Sequence, residues 1–212
     1  MKINLETGFD IFTNNPFEIS NETVQDFYEI INSKKFTKSE KFKNINVLSE
    51  DDIKNYSYIK NLFKKVTRCL EVNKVNVEFI NMWAMISNSN NYKENILPNI
   101  PHIDHNRKFK CMVYMNNVNK NSGAIHLIKC NPKKYENFRK QINSNTRKIN
   151  DNIITNYEIS EFKNCYGPMG TVIFFDTNTP HFAGPILEEK SNSRLVLRFN
   201  FRFTQNKIFN LF

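Results

Sequence analysis

Two hydrophobic rhythms run along the chain, and the change between them falls near residue 74. Before it, apolar side chains recur at helical spacing. In SNETVQDFYEIINSK, Val24, Phe27, Ile30 and Ile31 share one face, and Ser20 or Asn21 stands where a helix N-cap is needed. A second, longer helix is predicted over LSEDDIKNYSYIKNLFKKVTRCLEV. There Ser49 and Asp52 have capping-box spacing, and Ile53, Ile59, Phe63, Val66 and Leu70 form the apolar stripe.

After residue 74 the period becomes two. Val75, Val77, Phe79, Asn81, Trp83 and Met85 alternate against Asn76, Glu78, Ile80, Met82, Ala84 and Ile86, which predicts a strand with those two faces. Further strands are predicted over 109–116, 124–129, 171–176 and 193–203, with turns at Gly123, Gly167 to Gly170 and Gly184. Asn131 and Pro132 open a polar stretch, about 131–165, that reads as a helix plus an excursion over one end of the sheets. Helices first and many short strands afterwards predict an α+β chain, mainly β in its core, with a sandwich or jelly roll as the strand-rich part. Its length suits one domain over 1–212: a helical part over 1–73, then a core over 74–212.

Composition adds a Phe-rich interior, with 19 Phe against only 5 Gly and 40% apolar residues. The formal charge of +9 favours anionic partners, nucleic acid included, but the basic residues form no block and are spread as AT-rich coding would spread them. Cys69, Cys111, Cys130 and Cys165 show neither CxxC nor finger spacing, so they read as reduced thiols. With no apolar leader segment and no long apolar run, the expectation is a soluble cytoplasmic protein with no membrane partner.

Candidate chemistry begins in PHIDHNRKFKCMVYM. In extended chain, residues two apart share a face, so His102 and Asp104 can hold one cation between them while His105 faces away. His181 follows the predicted strand TVIFFD, and Arg194 begins the next one. Two histidines and a carboxylate on one face of a metal leave its other positions open, the arrangement of non-haem Fe(II) oxygenases. The Arg194 guanidinium can pair bidentately with a dicarboxylic cosubstrate. Parity places Arg194, Val196, Arg198 and Asn200 on one face of the last strand, so Arg198 also points toward the cavity, either to a polar or acidic substrate or into a rim salt bridge. Trp83 and Met85 either line the pocket or belong to the core. His126 reads as a packed histidine with no ligand spacing.

Two stretches, HIDHNRKFKCMVYMNNVNKNSGAIHLI and GTVIFFDTNTPHFAGP followed by SRLVLRFNF, resemble the phytanoyl-CoA dioxygenase-like group of Fe(II)/2-oxoglutarate oxygenases. They cover roughly residues 100–130 and 165–203. The chain reads IKCNPKK where that group commonly has a Gly-Ser-His corner. The resemblance implies a double-stranded β-helix, jelly-roll or cupin-like, with N-terminal helices packed on one sheet. It implies that His102, Asp104 and His181 ligate Fe(II), that 2-oxoglutarate chelates the metal with Arg194 on its far carboxylate, and that O2 is the oxidant. The presence of Asp104 implies an oxygenase and not a halogenase. In that layout Lys110 or Tyr114, which share a face with Met112, is a second 2-oxoglutarate contact; a solvent-facing Lys and a core Tyr are the alternative. The implied reaction is hydroxylation of a C–H in a small polar or acidic metabolite, held by Arg198 and Trp83, with succinate and CO2 released. Two other readings stand beside it. One is an oxygenase acting on protein or nucleic acid, motivated by the charge and by Arg194, Arg198 and Arg202 on one strand. The other is a metal-binding jelly roll without turnover.

Overall fold

The computed structural model describes residues 1–33, 37–39, 42–87, 97–140, 148–149, 152–186 and 193–204. Residues 88–96, together with 141–147 and 150–151 of the predicted excursion, lie outside the described residues.

Helix α1, Asn21–Ser33, buries the four apolar residues that set its rhythm, and the Ser20 hydroxyl accepts from the Thr23 N–H at 3.1 Å. The second predicted helix is instead two: α2, Glu50–Ile53, and α3, Ser57–Val72. At about 100° per residue, Ile53 and Ile59 would stand roughly 120° apart on one straight helix. The break at residues 54–56 re-phases the chain, and both isoleucines are fully buried. The capping box serves the short helix, with the Ser49 N–H donating to Asp52 Oδ2 at 2.8 Å.

Thirteen strands among the described residues form two antiparallel sheets. The larger contains β1 (Phe9–Phe12), β2 (Thr37–Ser39), β3 (Phe42–Leu48), β4 (Val77–Ser87), β6 (Phe109–Tyr114), β11 (Val172–Asp176) and β13 (Arg194–Phe203), in the order β1, β11, β6, β13, β4, β3, β2. The smaller contains β5 (His102–Ile103), β7 (Ile125–Leu127), β8 (Lys148–Ile149), β9 (Asn152–Ile154), β10 (Lys163–Asn164) and β12 (His181–Ala183), in the order β10, β7, β12, β5, β9, β8. Helix α4, Lys133–Lys140, follows β7; the Lys133 N–H donates to Asn131 Oδ1 at 3.0 Å, as an Asn-Pro helix start requires.

Alternation along the larger sheet divides the interior. Phe109, Cys111, Val113, Phe174, Leu197 and Phe199 share an apolar cluster with Phe27 of α1 and with Phe63 and Leu70 of α3. The Phe63 ring lies 4.7 Å from Phe79 and 5.8 Å from Phe199. On the other face Met112, Tyr114, Ile173, Phe175 and Val196 cluster with Ile125 and Leu127 of the smaller sheet. Each Phe so buried contributes about 1.5–3 kcal/mol of transfer free energy.

One irregularity in β4 matters for function. The predicted single face from Val75 to Met85 does not persist. Asn200 pairs with Asn81 and Phe201 with Phe79, so Ile80 is an extra, exposed residue. Such a bulge flips the alternation. Val77 and Phe79 therefore join the cluster shared with the helices, whereas Trp83 and Met85 turn to the opposite side and line a cavity between the sheets.

Candidate active site

Strand β5 pairs with β12 so that His102 and His181 stand directly opposite each other. Each imidazole is oriented by its own chain. The His102 Nδ1 lies 2.7 Å from the Ile100 carbonyl and the His181 Nδ1 lies 2.9 Å from the Thr179 carbonyl. A carbonyl accepts from an Nδ1–H, which leaves each Nε2 with a free lone pair. The two Nε2 atoms lie 3.8 and 3.4 Å from Oδ1 of Asp104, the residue just after β5. One ligand atom from each of the three side chains falls within 4.8 Å of the other two. Two neutral nitrogens and one carboxylate oxygen, all facing a common point, fit a divalent first-row metal ion.

Burial and local charge keep these groups in ligating form. Burial and the neighbouring His181 push His102 down to about 3. Burial raises the Asp104 carboxyl, but Lys110 and the two imidazoles together outweigh it and hold it well below the usual carboxylate range. The Lys110 Nζ sits 2.5 Å from Asp104 Oδ2, which turns Oδ1 toward the histidines. Burial brings the Lys110 ammonium down to about 8 even with Asp104 beside it.

The turn carrying Asp104 is clamped from outside. The Asp104 N–H donates to the Thr177 carbonyl at 3.3 Å, and the Lys108 N–H to Thr177 Oγ1 at 2.8 Å. Arg139 of α4 donates to the carbonyls of both Asp104 and His105, while its Nε donates to Asn178 Oδ1 at 2.6 Å. Arg107 holds Asp176 at 2.7 Å and Glu136 of α4 at 3.1 Å. Arg139 and Arg107 carry no periodic or motif signal. Their contribution depends on α4 crossing the end of the sheets, which sequence alone does not reveal.

The face where the three side chains meet opens into a cavity of 270 Å³ lined by residues of both sheets. His102, Asp104, His181, Lys110, Trp83, Arg194 and Arg198 all line it. Arg194 is buried, with one Nη donating to Ser87 Oγ at 3.4 Å and its Nε unpartnered. The Arg198 guanidinium lies 4.4 Å from the Trp83 ring centre. Tyr114 shares the Lys110 face but is fully buried below the cavity, and its hydroxyl donates to the Cys165 carbonyl at 2.8 Å. His126 packs against Phe182 with ring centres 4.4 Å apart, its Nδ1 2.9 Å from the Ala124 carbonyl. His105 is exposed and its N–H donates to Asn152 Oδ1. Arg202 lies outside the cavity and pairs with Glu78 at 2.9 Å. Asn152 and Asn200, which also line the cavity, carry no motif, although parity puts Asn200 on the Arg194 face.

Neither a protein-family model nor a curated protein sequence matches the chain. Its fold, however, is that of several solved structures. EvdO2 from Micromonospora carbonacea var. aurantiaca, crystallised with 2-oxoglutarate, superposes with a TM-score of 0.63 at 12% identity, over 96% of this chain and 89% of that one. The epimerase SnoN, in complex with Fe3+, alpha ketoglutarate and nogalamycin RO, gives 0.62 at 11% identity over 93% and 80%. HygX from Streptomyces hygroscopicus, with nickel and 2-oxoglutarate bound, gives 0.58 at 12% identity over 95% and 85%. At such identities the likeness is one of fold. The chain has two antiparallel sheets of the jelly-roll kind with few helices.

Proposed function

We propose that this chain is an Fe(II)- and 2-oxoglutarate-dependent oxygenase of one domain, a double-stranded β-helix with its N-terminal helices laid on the larger sheet. The supporting observation is the convergence of His102 Nε2, His181 Nε2 and Asp104 Oδ1 from β5, its following turn and β12, each held by an independent hydrogen bond. The shared fold with structures holding iron or nickel and 2-oxoglutarate supports the same cofactors here. The phytanoyl-CoA dioxygenase-like group remains the family reading that the motif order favours.

Bound at this triad, ferrous iron with 2-oxoglutarate and O2 supplies the oxidising chemistry, and succinate and CO2 are the coproducts. The protein's own share is positioning and charge. His102 and His181 present neutral nitrogens because their Nδ1 protons are committed to backbone carbonyls. Lys110 occupies one oxygen of Asp104, so that carboxylate binds the metal through the other. Arg194, buried with one weak neutral partner, is the cation for the far carboxylate of the cosubstrate. Met85, Ile125 and Phe175 give the cavity apolar walls beside the triad.

The substrate in this reading is a small polar or acidic metabolite, contacted by Arg198 and Trp83, and the outcome is hydroxylation of a C–H. A cavity of 270 Å³ suits a metabolite. Arg194 and Arg198 face inward and Arg202 is paired, so these three arginines form no exposed basic stripe of the kind a macromolecule would need. Four free thiols fit work in the cytoplasm. Anaerobic titration of the protein with Fe(II) and 2-oxoglutarate tests the assignment. A weak visible charge-transfer band should appear, vanish in Asp104→Ala, and be followed on admission of air by stoichiometric succinate. Metal uptake with no band and no succinate would leave only a binding domain.

A further inference from the structure

Arg198 differs from every other arginine among the described residues. Arg68, Arg107, Arg139 and Arg202 each have a carboxylate, carbonyl or amide partner, and Arg194 has Ser87. Arg198 makes no hydrogen bond or ion pair with any described residue, and its Nε is buried without a partner. The guanidinium lies over the Trp83 indole face, which orients it by stacking but does not neutralise it. Holding such a cation unpaired in a partly buried site is costly, and mid-strand, opposite Trp83, it has little freedom to swing into water.

Charge balance within the cavity sharpens the point. Among the described residues Asp104 is the one carboxylate lining it, Lys110 already matches that charge, and Lys108 adds a further cation to the lining. On the function proposed above, on which this inference rests, one carboxylate of 2-oxoglutarate goes to the metal and the far one to Arg194. Arg198 is then left with no counter-charge until substrate arrives. Two residues along the same face, Asn200 donates its Nδ2 to Asn81 Oδ1 at 2.6 Å, and its own Oδ1 is buried with no donor among the described residues.

We propose that Arg198 binds an anionic group of the substrate, a carboxylate or phosphate, above Trp83. The substrate class is accordingly a small acid, and not a neutral metabolite.

Trp83 is the one tryptophan of the chain, so its fluorescence reports on this site directly. Protein loaded with Ni(II) and 2-oxoglutarate, so that the Arg194 position is filled, is titrated at constant ionic strength with inorganic phosphate, with benzoate and with neutral benzamide. Saturable change in Trp83 emission with phosphate or benzoate, but not benzamide, is expected, and whichever binds more tightly identifies the anion. Arg198→Gln should weaken that binding roughly tenfold or more, and Arg198→Lys should restore part of it. Arg198→Gln should also keep the Fe(II)/2-oxoglutarate charge-transfer band, whereas Arg194→Gln should weaken 2-oxoglutarate binding. No saturable response in the wild-type protein, or an equal response in Arg198→Gln, overturns the proposal. So does loss of 2-oxoglutarate binding in Arg198→Gln alone, which would make Arg198 the cosubstrate's partner. Absence of the charge-transfer band in the wild-type protein would instead refute the oxygenase reading, whatever the anion titration gives.

Discussion

Lys110 Nζ and Asp104 Oδ2 lie 2.5 Å apart, on the side of the carboxylate turned away from the two imidazoles. The lysine thereby keeps the carboxyl ionised and, on the proposed function, selects which oxygen would meet the metal. Replacing it with Met should preserve the bulk of the side chain, free the carboxylate to rotate and weaken metal binding about 10–100-fold, as losses of such supporting partners do. Isothermal titration with Fe(II) or Ni(II) checks the shift; unchanged affinity would mean that the imidazoles alone orient Asp104.

Arg139 acts on the same turn from the opposite direction, through the backbone carbonyls of Asp104 and His105. Arg139→Leu should lower metal affinity by roughly tenfold while leaving far-UV circular dichroism unchanged, because the contact positions a ligand and buries little core. A variant that unfolds before its affinity can be measured would show that α4 holds the fold as well as the site.

Acid stability should follow His102. Its native value of about 3 lies below its ordinary value of 6.5, so the native state binds fewer protons than the unfolded chain between those limits. Stability of the metal-free protein therefore falls as pH drops from about 6.5 toward 3, and the depressed Asp104 carboxyl extends the fall to lower pH. Thermal melts across this range should show that slope, and His102→Gln should flatten its upper part.

Phe63 bridges α3 to two strands of the larger sheet at once through Phe79 and Phe199. Phe63→Ala should destabilise the protein by about 3–5 kcal/mol, the usual cost of removing a buried ring. Chemical denaturation checks this, and a midpoint shift with little change in slope is expected.

The pattern of positions alone identified α1, the strands at 109, 124, 171 and 193, and the Asn-Pro start of α4, because each has a local cause: one face to bury, or a cap to satisfy. It also picked out three side chains that the structure brings together, since His102 and Asp104 are neighbours in extended chain and His181 follows a readable strand. It failed where position depends on partners distant in the chain. Ile80 looks like one more alternating residue, and only the pairing of β4 with β13 makes it a bulge that turns Trp83 into the cavity. Similarly, a helix stripe through Ile53 and Ile59 reads as continuous until both must reach one core.

Residue types and short-range spacing determined which side chains could do chemistry: two imidazoles, one carboxylate and an inward arginine. Tertiary structure decided how they are used. It spent Tyr114 on the Cys165 carbonyl, placed Lys110 against Asp104, and left Arg198 stacked on Trp83 without a counter-ion among the described residues. The physical reason is that orientation and ionisation depend on which groups meet across strands, and strand register is settled by packing of the whole sheet and not by any local run of residues.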